Sequence, residues 1–221
     1  VLLRQTESAE LQADRFNGLN QQQFIVSNPA ILDLFPGVPS IAALQNSSSL
    51  QTVRRVADDL QSPYNYQSSI SVERQLPYNF SLTVTYLNAR YFHMLRSRNV
   101  NAPLPGTFDP DVPDSGVRPF ADLGNVYQYE SSGRLDQNQL IFTANSRLNP
   151  RLSIFANYIL NKVNSNTDGP GSFPVNSYDL TGEYGRSSLD VRHRFSIGGT
   201  IEGPWGLTLN PSVPEPVHGH T

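Results

Sequence analysis

A regular alternation of apolar and polar residues marks the middle of the chain. In Tyr64–Leu76 every odd position is polar, and most even positions are apolar. Successive side chains of a β-strand point to opposite faces, so this segment predicts a strand with one largely apolar face and one hydrated face. Pro77, Tyr78 and Asn79 predict a tight turn, and alternation resumes from Phe80 to about Phe92.

Further segments repeat this organisation along the chain. Asn149-Pro150 and Gly203-Pro204 predict additional tight turns, since these residue types favour turn geometry. Two long polar segments, rich in Asn, Asp and Gly, predict loops at His93–Arg134 and Asn164–Leu189. The additional predicted strands are Gln137–Leu148, Leu152–Leu160, Val191–Glu202 and one that begins with Trp205, Leu207 and Leu209.

The N-terminal part of the chain is less regular. Arg15–Val26 is interpreted as an earlier strand despite poor alternation, and a long Pro-containing loop follows it up to Tyr64. Residues 1–14 predict a helical or irregular segment. The sequence starts without Met and without a signal peptide, which predicts a piece of a longer protein. No run approaches the roughly 18 apolar residues of a transmembrane helix, so a membrane role would require strands.

The order of strand, short turn, strand and long loop is repeated three times. Short turns would lie at one end of the strands and long loops at the other, as in transmembrane β-barrels. The predicted strands of roughly 10–13 residues match the about 9–11 residues of a tilted membrane strand better than the about 5–6 of a globular strand. Aromatic residues near the strand ends would form an interfacial girdle: Tyr64, Tyr66, Tyr78, Phe80, Tyr86, Phe92, Tyr158 and Trp205.

A soluble β-sandwich is the alternative fold, because its strands alternate in the same way and also end in Gly/Pro turns. Composition narrows the function further. Hydrophobic residues make up 38% of the chain and charged residues 16%, with a net charge of −3. The chain has no excess of basic residues, so its composition does not indicate a nucleic-acid partner. The absence of Cys excludes thiol catalysis, disulfides and Cys-ligated zinc.

Histidines offer little chemistry in this sequence. His193 follows Asp190 closely and could be a base that Asp190 orients, but no nucleophile can be named, so a His at a strand end or membrane interface is the favoured interpretation. His218 and His220 alone would make only a weak metal site.

Two acidic or amide-rich loops are candidate calcium sites. Asn164, Asn166, Asp168 and Gly169 resemble the start of a calcium loop, but Val175 stands where the closing Glu is needed. Asp109, Asp111 and Asp114 form a second cluster. Turn chemistry explains both loops better, so we predict no catalytic, cofactor or metal-binding residue.

Charged residues on the hydrated faces fit a barrel lumen. Arg192, Arg194 and Glu202 would line the hydrated face of one strand and contact a plug or a solute. Glu73 and Glu202 lie on polar faces, but nothing pairs them as a β-rich hydrolase would require. The chain is therefore predicted not to be an enzyme.

Six stretches of the sequence carry a family resemblance: Tyr64–Pro77, Leu95–Pro105, Tyr127–Gly133, Asn176–Leu180, Gly182–Arg186 and Asp190–Phe195. They resemble the barrel of TonB-dependent receptors, in particular the Oar-like group with its N-terminal carboxypeptidase-regulatory-like domain. The resemblance covers residues 15–211 and includes loops as well as strands.

The resemblance implies an all-β, antiparallel transmembrane barrel of about 22 strands, plugged by an N-terminal domain. Such receptors take up scarce nutrients with energy passed on by TonB. The chain would supply six to seven late-middle strands of such a barrel. Its partners would be outer-membrane lipid, the plug and remaining strands of the parent protein, TonB through the N-terminal part, and a small solute or glycan. The family has no catalytic residues to carry over.

The hypothesis is therefore a fragment of a TonB-dependent nutrient receptor in the outer membrane of a Gram-negative bacterium. Residues 1–211 would be a partial barrel, and residues 212–221 an atypical tail from truncation or frameshift, because two prolines in the tail cannot occupy a paired strand. The alternative is a soluble β-rich adhesion or carbohydrate-binding module.

Overall fold

The computed structural model describes residues 2–20, 24, 26, 28–45, 50–112 and 115–213. Three helices precede the strands: α1 (Leu2–Arg15), α2 (Pro29–Leu32) and α3 (Ile41–Gln45). No helix in the described ranges has the length and apolar character needed to cross a membrane.

Nine strands of the described residues form one sheet, with the path β2-β3-β4-β5-β7-β8. β1 pairs in parallel with β4, whereas the β2–β3, β4–β5 and β5–β7 ladders are antiparallel. The strands are β1 (Val53–Val56), β2 (Tyr64–Leu76), β3 (Phe80–Asn99), β4 (Val126–Asn149), β5 (Leu152–Ser165), β6 (Gly185–Arg186), β7 (His193–Glu202), β8 (Thr208–Leu209) and β9 (Ser212–Val213).

The chain divides into two compact units. Unit 1 contains Val1–Pro63, His93–Gly133 and Thr167–Glu183; unit 2 contains Tyr64–Phe92, Arg134–Asn166 and Tyr184–Thr221. The two longest strands are divided between the units. The first part of β3 belongs to unit 2 and its end to unit 1, whereas β4 begins in unit 1 and ends in unit 2. The all-β, antiparallel organisation predicted from the alternation is confirmed.

Short turns join consecutive strands of unit 2 at one end. The β2–β3 turn closes on the pair Leu76 and Phe80, and Tyr78 and Asn79 adopt φ of 65° and 52°. Asn tolerates this left-handed region, whereas a Tyr there is uncommon. In the β4–β5 turn, the side chain of Asn149 accepts a hydrogen bond from the Arg151 N–H at 2.9 Å. This bond fixes a two-residue connection.

Unit 1 has a small core between α1 and the sheet. Ala9 and Ala13 are buried against Leu95 and Tyr129. Alanine side chains allow the helix to approach closely, and a hydrogen bond of 2.7 Å from the Tyr129 hydroxyl to Gln12 joins the two elements. The segment predicted as helical or irregular is thus a helix that packs in unit 1.

The strand predicted for Arg15–Val26 is wrong. Arg15 ends α1, and the described residues that follow it form turns and irregular backbone. The cause is local, because the Asn17 side chain accepts hydrogen bonds from the Leu19 and Asn20 N–H groups at 2.8 and 2.9 Å. Such a side-chain-capped turn competes with strand formation. The strand of this region is instead β1, within the segment predicted as a loop.

Both predicted long loops are shorter than expected. β3 continues to Asn99 and β4 already begins at Val126, so much of His93–Arg134 is strand. These strand extensions are rich in polar residues whose side chains form hydrogen bonds with one another. Backbone pairing between strands does not require alternating apolar residues, so the sequence pattern did not predict the extensions. β5 likewise runs on to Ser165, and β6 lies inside the second predicted loop.

The end of the described chain differs from the expected strand at Trp205. Trp205 lies in a 3₁₀ helix, Pro204–Gly206, with φ of 62°, and the strand begins only at Thr208. β8 and β9 continue one antiparallel register along β7 and are interrupted at Asn210-Pro211. The sheet therefore includes the first two residues of the segment predicted as a tail. His218 and His220 lie outside the described residues.

Candidate functional site

Cross-strand pairing sorts the side chains of unit 2 into two faces. Directly paired residues share a face. Pairs such as Ile70 with Tyr86, and Leu140 with Leu160, place the even positions of β2 to β5 together. Hydrogen bonds of 2.8 Å from both Tyr86 and Asn88 to Asn138 connect β3 to β4 on this face. The odd positions of β7 join it through the Tyr158–Phe195 pair.

This first face, the apolar face, carries aliphatic and aromatic side chains that no other part of the described chain covers fully. Ile70 and Val72 are each 67% exposed, and Phe195 is 49% exposed. A contiguous exposed apolar surface of this kind marks contact with another apolar phase. Its members include Ile70, Val72, Leu82, Val84, Leu140, Phe142, Ile154, Tyr158, Leu160, Phe195, Ile197 and Ile201.

The opposite face, the polar face, carries mainly amides, hydroxyls and charges. Gln139 pairs with Asn161, and Thr143 pairs with Asn157. Arg194 and Glu202 belong to β7 as predicted, whereas Arg192 precedes the strand and bonds to Asp190 at 2.9 Å. The sequence thus located two of these three charged residues on the strand.

A few apolar side chains interrupt the polar face. Ile141 and Ile159 form a direct pair, and Phe155, four residues before Ile159 on the same face of β5, is 41% exposed. A Cβ built on Gly198 would approach the Phe155 ring to 2.5 Å, so the ring lies across this glycine. The face is therefore mostly hydrated but contains an apolar patch, defined as Ile141, Phe155 and Ile159.

Asp190 and His193 do not form the acid–base pair considered from the sequence. The Tyr158 hydroxyl lies 2.8 Å from Nδ1 of His193, and the two rings stack at 6.2 Å. Asp190 is fully buried and accepts hydrogen bonds from the Val163 N–H and from Arg186 and Arg192. Asp190 is therefore a structural acceptor, and His193 lies at the edge of the apolar face.

The two calcium-like loops are occupied by internal hydrogen bonds. The Asn166 side chain accepts the Arg134 N–H at 2.7 Å, and Asn164 lies in β5 opposite Arg186. Asp109 accepts the Asp111 N–H at 3.0 Å, as in an ordinary Asx turn. Asp114, the third residue of this cluster, lies outside the described residues. The described residues contain no group of three acidic, His or Cys side chains suited to a metal.

Aromatic residues collect where β2 begins. Tyr64 stacks on Phe92 with ring centroids 5.4 Å apart, and Tyr66 meets Phe92 edge-on at 6.1 Å. Tyr78 and Trp205, in contrast, are 87% and 94% exposed in the short turns at the opposite end. Amphipathic rings near both ends of the apolar face fit a protein that passes through a membrane interface on each side.

Unit 1 contains an ion network on the extensions of β3 and β4. Arg98 Nε lies 2.9 Å from Glu130, which also accepts the Ser132 hydroxyl. Arg96 is buried, and its guanidinium lies 4.0 Å from Glu183. Burial lowers the pKa of Arg96, while Glu130 and Glu183 partly oppose that shift. In the loop before β6, hydrogen bonds from Thr181 lower the pKa of the exposed Asp179 carboxyl.

Sequence reasoning missed a polar cluster where the strands of unit 2 meet the long connections. Arg134 donates to Asp136 at 2.7 Å, and the Tyr184 hydroxyl also donates to Asp136 at 2.7 Å. Burial raises the pKa of Tyr184, and Asp136 adds to this shift. Arg134 and Tyr184 lie in the two segments predicted as loops, so the alternation gave no signal that they share one face with Asp136.

Long antiparallel strands with one lipid-compatible face and one hydrated face define the wall of a transmembrane β-barrel. The family model described as the outer membrane beta barrel domain matches residues 4–215. The chain belongs to this family and is a protein of the cell outer membrane, in contact with membrane lipid. No curated protein sequence matches the chain.

A solved structure with a related arrangement is the crystal structure of the outer membrane transporter YddB from Escherichia coli. It shares 12% sequence identity and a TM-score of 0.45, over 72% of this chain and 21% of that chain. The chain thus spans about a fifth of the length of that transporter.

Proposed function

We propose that the chain is part of a TonB-dependent, Oar-like outer-membrane receptor that takes up a nutrient. The observation that carries the proposal is the polar face of unit 2. Its amide and hydroxyl side chains, such as Gln139, Asn157 and Asn161, would line a lumen through which a polar solute passes. The resemblance in strands and loops adds the family's energy source, TonB, and its nutrient cargo.

The apolar patch on the polar face supports a plug inside the lumen. Ile141, Ile159 and Phe155 would meet water in an open pore, which is unfavourable for large apolar side chains. A plug domain of the parent protein would cover them. Arg194, paired with Ile159, would then lie beside the patch as a polar contact.

The edges of the sheet support further strands from the same protein. Among the described residues the sheet path begins at β2 and ends at β8. Unpaired backbone groups are very costly in lipid, so both edges need partners. We propose that the remaining strands of the parent barrel supply them.

We also propose that the protein is not an enzyme. Glu73 lies in β2 and Glu202 in β7, with three strands between them in the sheet order. At about 4.8 Å per strand spacing they are roughly 19 Å apart, too far for a carboxylate pair that shares one substrate bond. Membership of the outer membrane family favours the transporter over the soluble adhesion or carbohydrate-binding module.

Uptake by the full-length parent protein tests the proposal. A deletion strain and its complemented counterpart would be given radiolabelled cobalamin, an iron-loaded siderophore, an oligosaccharide and a peptide, with and without TonB. We expect uptake of at least one solute to require both the protein and TonB. Uptake that persists undiminished without TonB, or an absence of uptake for every solute class including peptides, would contradict the proposal.

Two variants test the plug contact separately. Phe155→Ser and Ile159→Ser should loosen the plug and raise the entry of vancomycin, which intact outer membranes exclude. Ile197→Val on the apolar face is the matched control and should leave vancomycin entry unchanged. Equal resistance in all three strains would argue against a plug at the apolar patch.

A further inference from the structure

Four basic side chains lie on the apolar face of unit 2, at the strand ends opposite the short turns. Arg90 pairs with Tyr66, Lys162 with Asn138, and Arg186 with Asn164. Arg134 shares this face through its hydrogen bond to Asp136. We name Arg90, Arg134, Lys162 and Arg186 the cationic belt. Charges on this side of the sheet point away from the lumen.

The belt exposes its positive charges and covers its negative ones. The side chains of Arg90 and Arg134 are 58% and 51% exposed, whereas that of Asp136, their shared partner, is 13% exposed. Arg186 is 60% exposed and its partner Asp190 fully buried. Lys162 is exposed and forms no ion pair with any residue that the structure describes. The surface therefore presents net positive charge.

The position of the belt follows from the length of the apolar face. In β5 the apolar residues of this face run from Leu152 to Leu160, and Lys162 is the next residue of the same face. At about 3.3 Å per residue and a tilt of about 40°, this stretch spans roughly 23 Å, close to the roughly 25 Å apolar band of membrane barrels. Lys162 thus lies just beyond the acyl chains.

Short turns face the periplasm in such barrels and long connections face outward, so the belt lies at the outer leaflet. We propose that the cationic belt binds the phosphorylated head group of a glycolipid in that leaflet. Guanidinium groups bind phosphate through paired, charge-assisted hydrogen bonds, and an ammonium group adds a point charge. Asp136 keeps Arg90 and Arg134 in place for this contact.

A cleft beside the belt would receive the sugar part of the head group. Its volume is about 500 Å³, and its lining includes Arg90, Arg134, Asp136, Ser68, Asn88 and Asn138. Hydroxyl and amide side chains are suitable partners for sugar hydroxyls. Because the cleft is continuous with the apolar face, a ligand with acyl chains fits both surfaces, which a free phosphate does not.

Lipid titration of the protein, purified from outer membranes in detergent, tests this inference. Binding of diphosphorylated, hexa-acylated lipid A would be compared between wild type and an Arg90→Gln/Arg134→Gln/Lys162→Gln variant. Each removed cation should weaken binding roughly fivefold, so the triple variant should lose roughly a hundredfold. The fully dephosphorylated glycolipid should bind wild type and variant equally weakly.

Arg74→Gln is the matched control, because Arg74 lies on the same face near the short turns and should leave binding unchanged. If the triple variant does not fold, Lys162→Gln alone should still give the roughly fivefold loss. Equal affinity of wild type for phosphorylated and dephosphorylated glycolipid would overturn the inference. So would competition by millimolar inorganic phosphate that is as effective as competition by the lipid.

Discussion

Asp190 shows how much of this protein's order depends on single polar residues. Its carboxylate is fully buried and accepts the Val163 N–H at 3.0 Å with one oxygen, while the other oxygen meets Arg186 at 2.8 Å and Arg192 at 2.9 Å. The chain before β7 is thereby fixed to β5. Both arginines are partly exposed, so the bond to Val163 is the part that water cannot replace.

The effect of replacing Asp190 on the free energy of unfolding should therefore depend on whether the new side chain can accept the Val163 N–H. Asp190→Ala leaves the buried Val163 N–H unpaired and should lower the free energy of unfolding by about 1–3 kcal/mol. Asp190→Asn keeps an acceptor for the Val163 N–H but turns its amide NH2 toward the Arg186 and Arg192 donors, which can swing into solvent, so we expect a smaller loss than in Asp190→Ala. Urea unfolding in detergent micelles, followed by circular dichroism, measures both. Equal losses in the two variants would show that the ion pairs, and not the Val163 bond, stabilise this segment.

The sequence located several residues correctly but not their contacts. Even and odd positions of Tyr64–Leu76 lie on the predicted faces, because alternation depends only on strand geometry. The bonds of Asp190, His193 and Asp136 join residues far apart in the sequence, and no local spacing encodes them. For this reason the sequence does not predict the cluster at Asp136, and the short spacing of Asp190 and His193 does not correspond to a contact between them.

At the scale of elements, the β5–β7 ladder depends on two adjacent glycines with different neighbours. A Cβ on Gly199 would meet the Ser153 carbonyl oxygen at 2.6 Å, which belongs to the backbone of the paired strand. A Cβ on Gly198 would meet the Phe155 ring at 2.5 Å, which is a side chain that can rotate. A side chain at Gly199 would therefore displace the backbone of the paired strand, whereas one at Gly198 would first displace the side chain of Phe155.

Gly199→Ala should destabilise the protein by about 1–3 kcal/mol, because the ladder itself must shift. Gly198→Ala should cost less, because the Phe155 ring can rotate away and the only tight backbone contact, with the Pro211 carbonyl oxygen at 3.2 Å, needs a much smaller shift than the one at Gly199. Gly182→Ala is the control, since no heavy atom lies within 4 Å of its added Cβ. The urea midpoint in micelles ranks the three variants, and a Gly198→Ala loss as large as that of Gly199→Ala would contradict this account.

The sequence predicted the strands best where one face of the strand contacts lipid, because apolar and polar residues then alternate along it. The predicted bounds of the strand at Tyr64–Leu76 agree with β2, and the next strand begins at Phe80 as predicted. The extensions of β3 to Asn99 and of β4 from Val126 have polar residues on both faces, so they looked like loop. β1 is short and depends on its parallel pairing with β4, which sequence spacing cannot reveal.

For the whole molecule, the open edges of the sheet require a larger assembly. β2 and β8 end the sheet path within the described part of the chain, and a stable barrel in lipid has no edges. The parent protein proposed above, whose further strands would close the barrel, should therefore fractionate with the sarkosyl-resistant outer membrane and migrate faster on gels when unboiled than when boiled. A protein in the soluble fraction, with equal mobility before and after boiling, would contradict a closed barrel.

The modest span of the apolar stretch from Leu152 to Leu160 has a consequence for where the protein can reside. A hydrocarbon layer of about 30 Å, typical of other bilayers, exceeds its roughly 23 Å reach. In such a layer Lys162 and Arg90 would be drawn among acyl chains, or the bilayer would have to thin at a cost for every ångström. Hydrophobic mismatch alone would therefore make the cytoplasmic membrane a less favourable location for the protein than the thinner outer membrane.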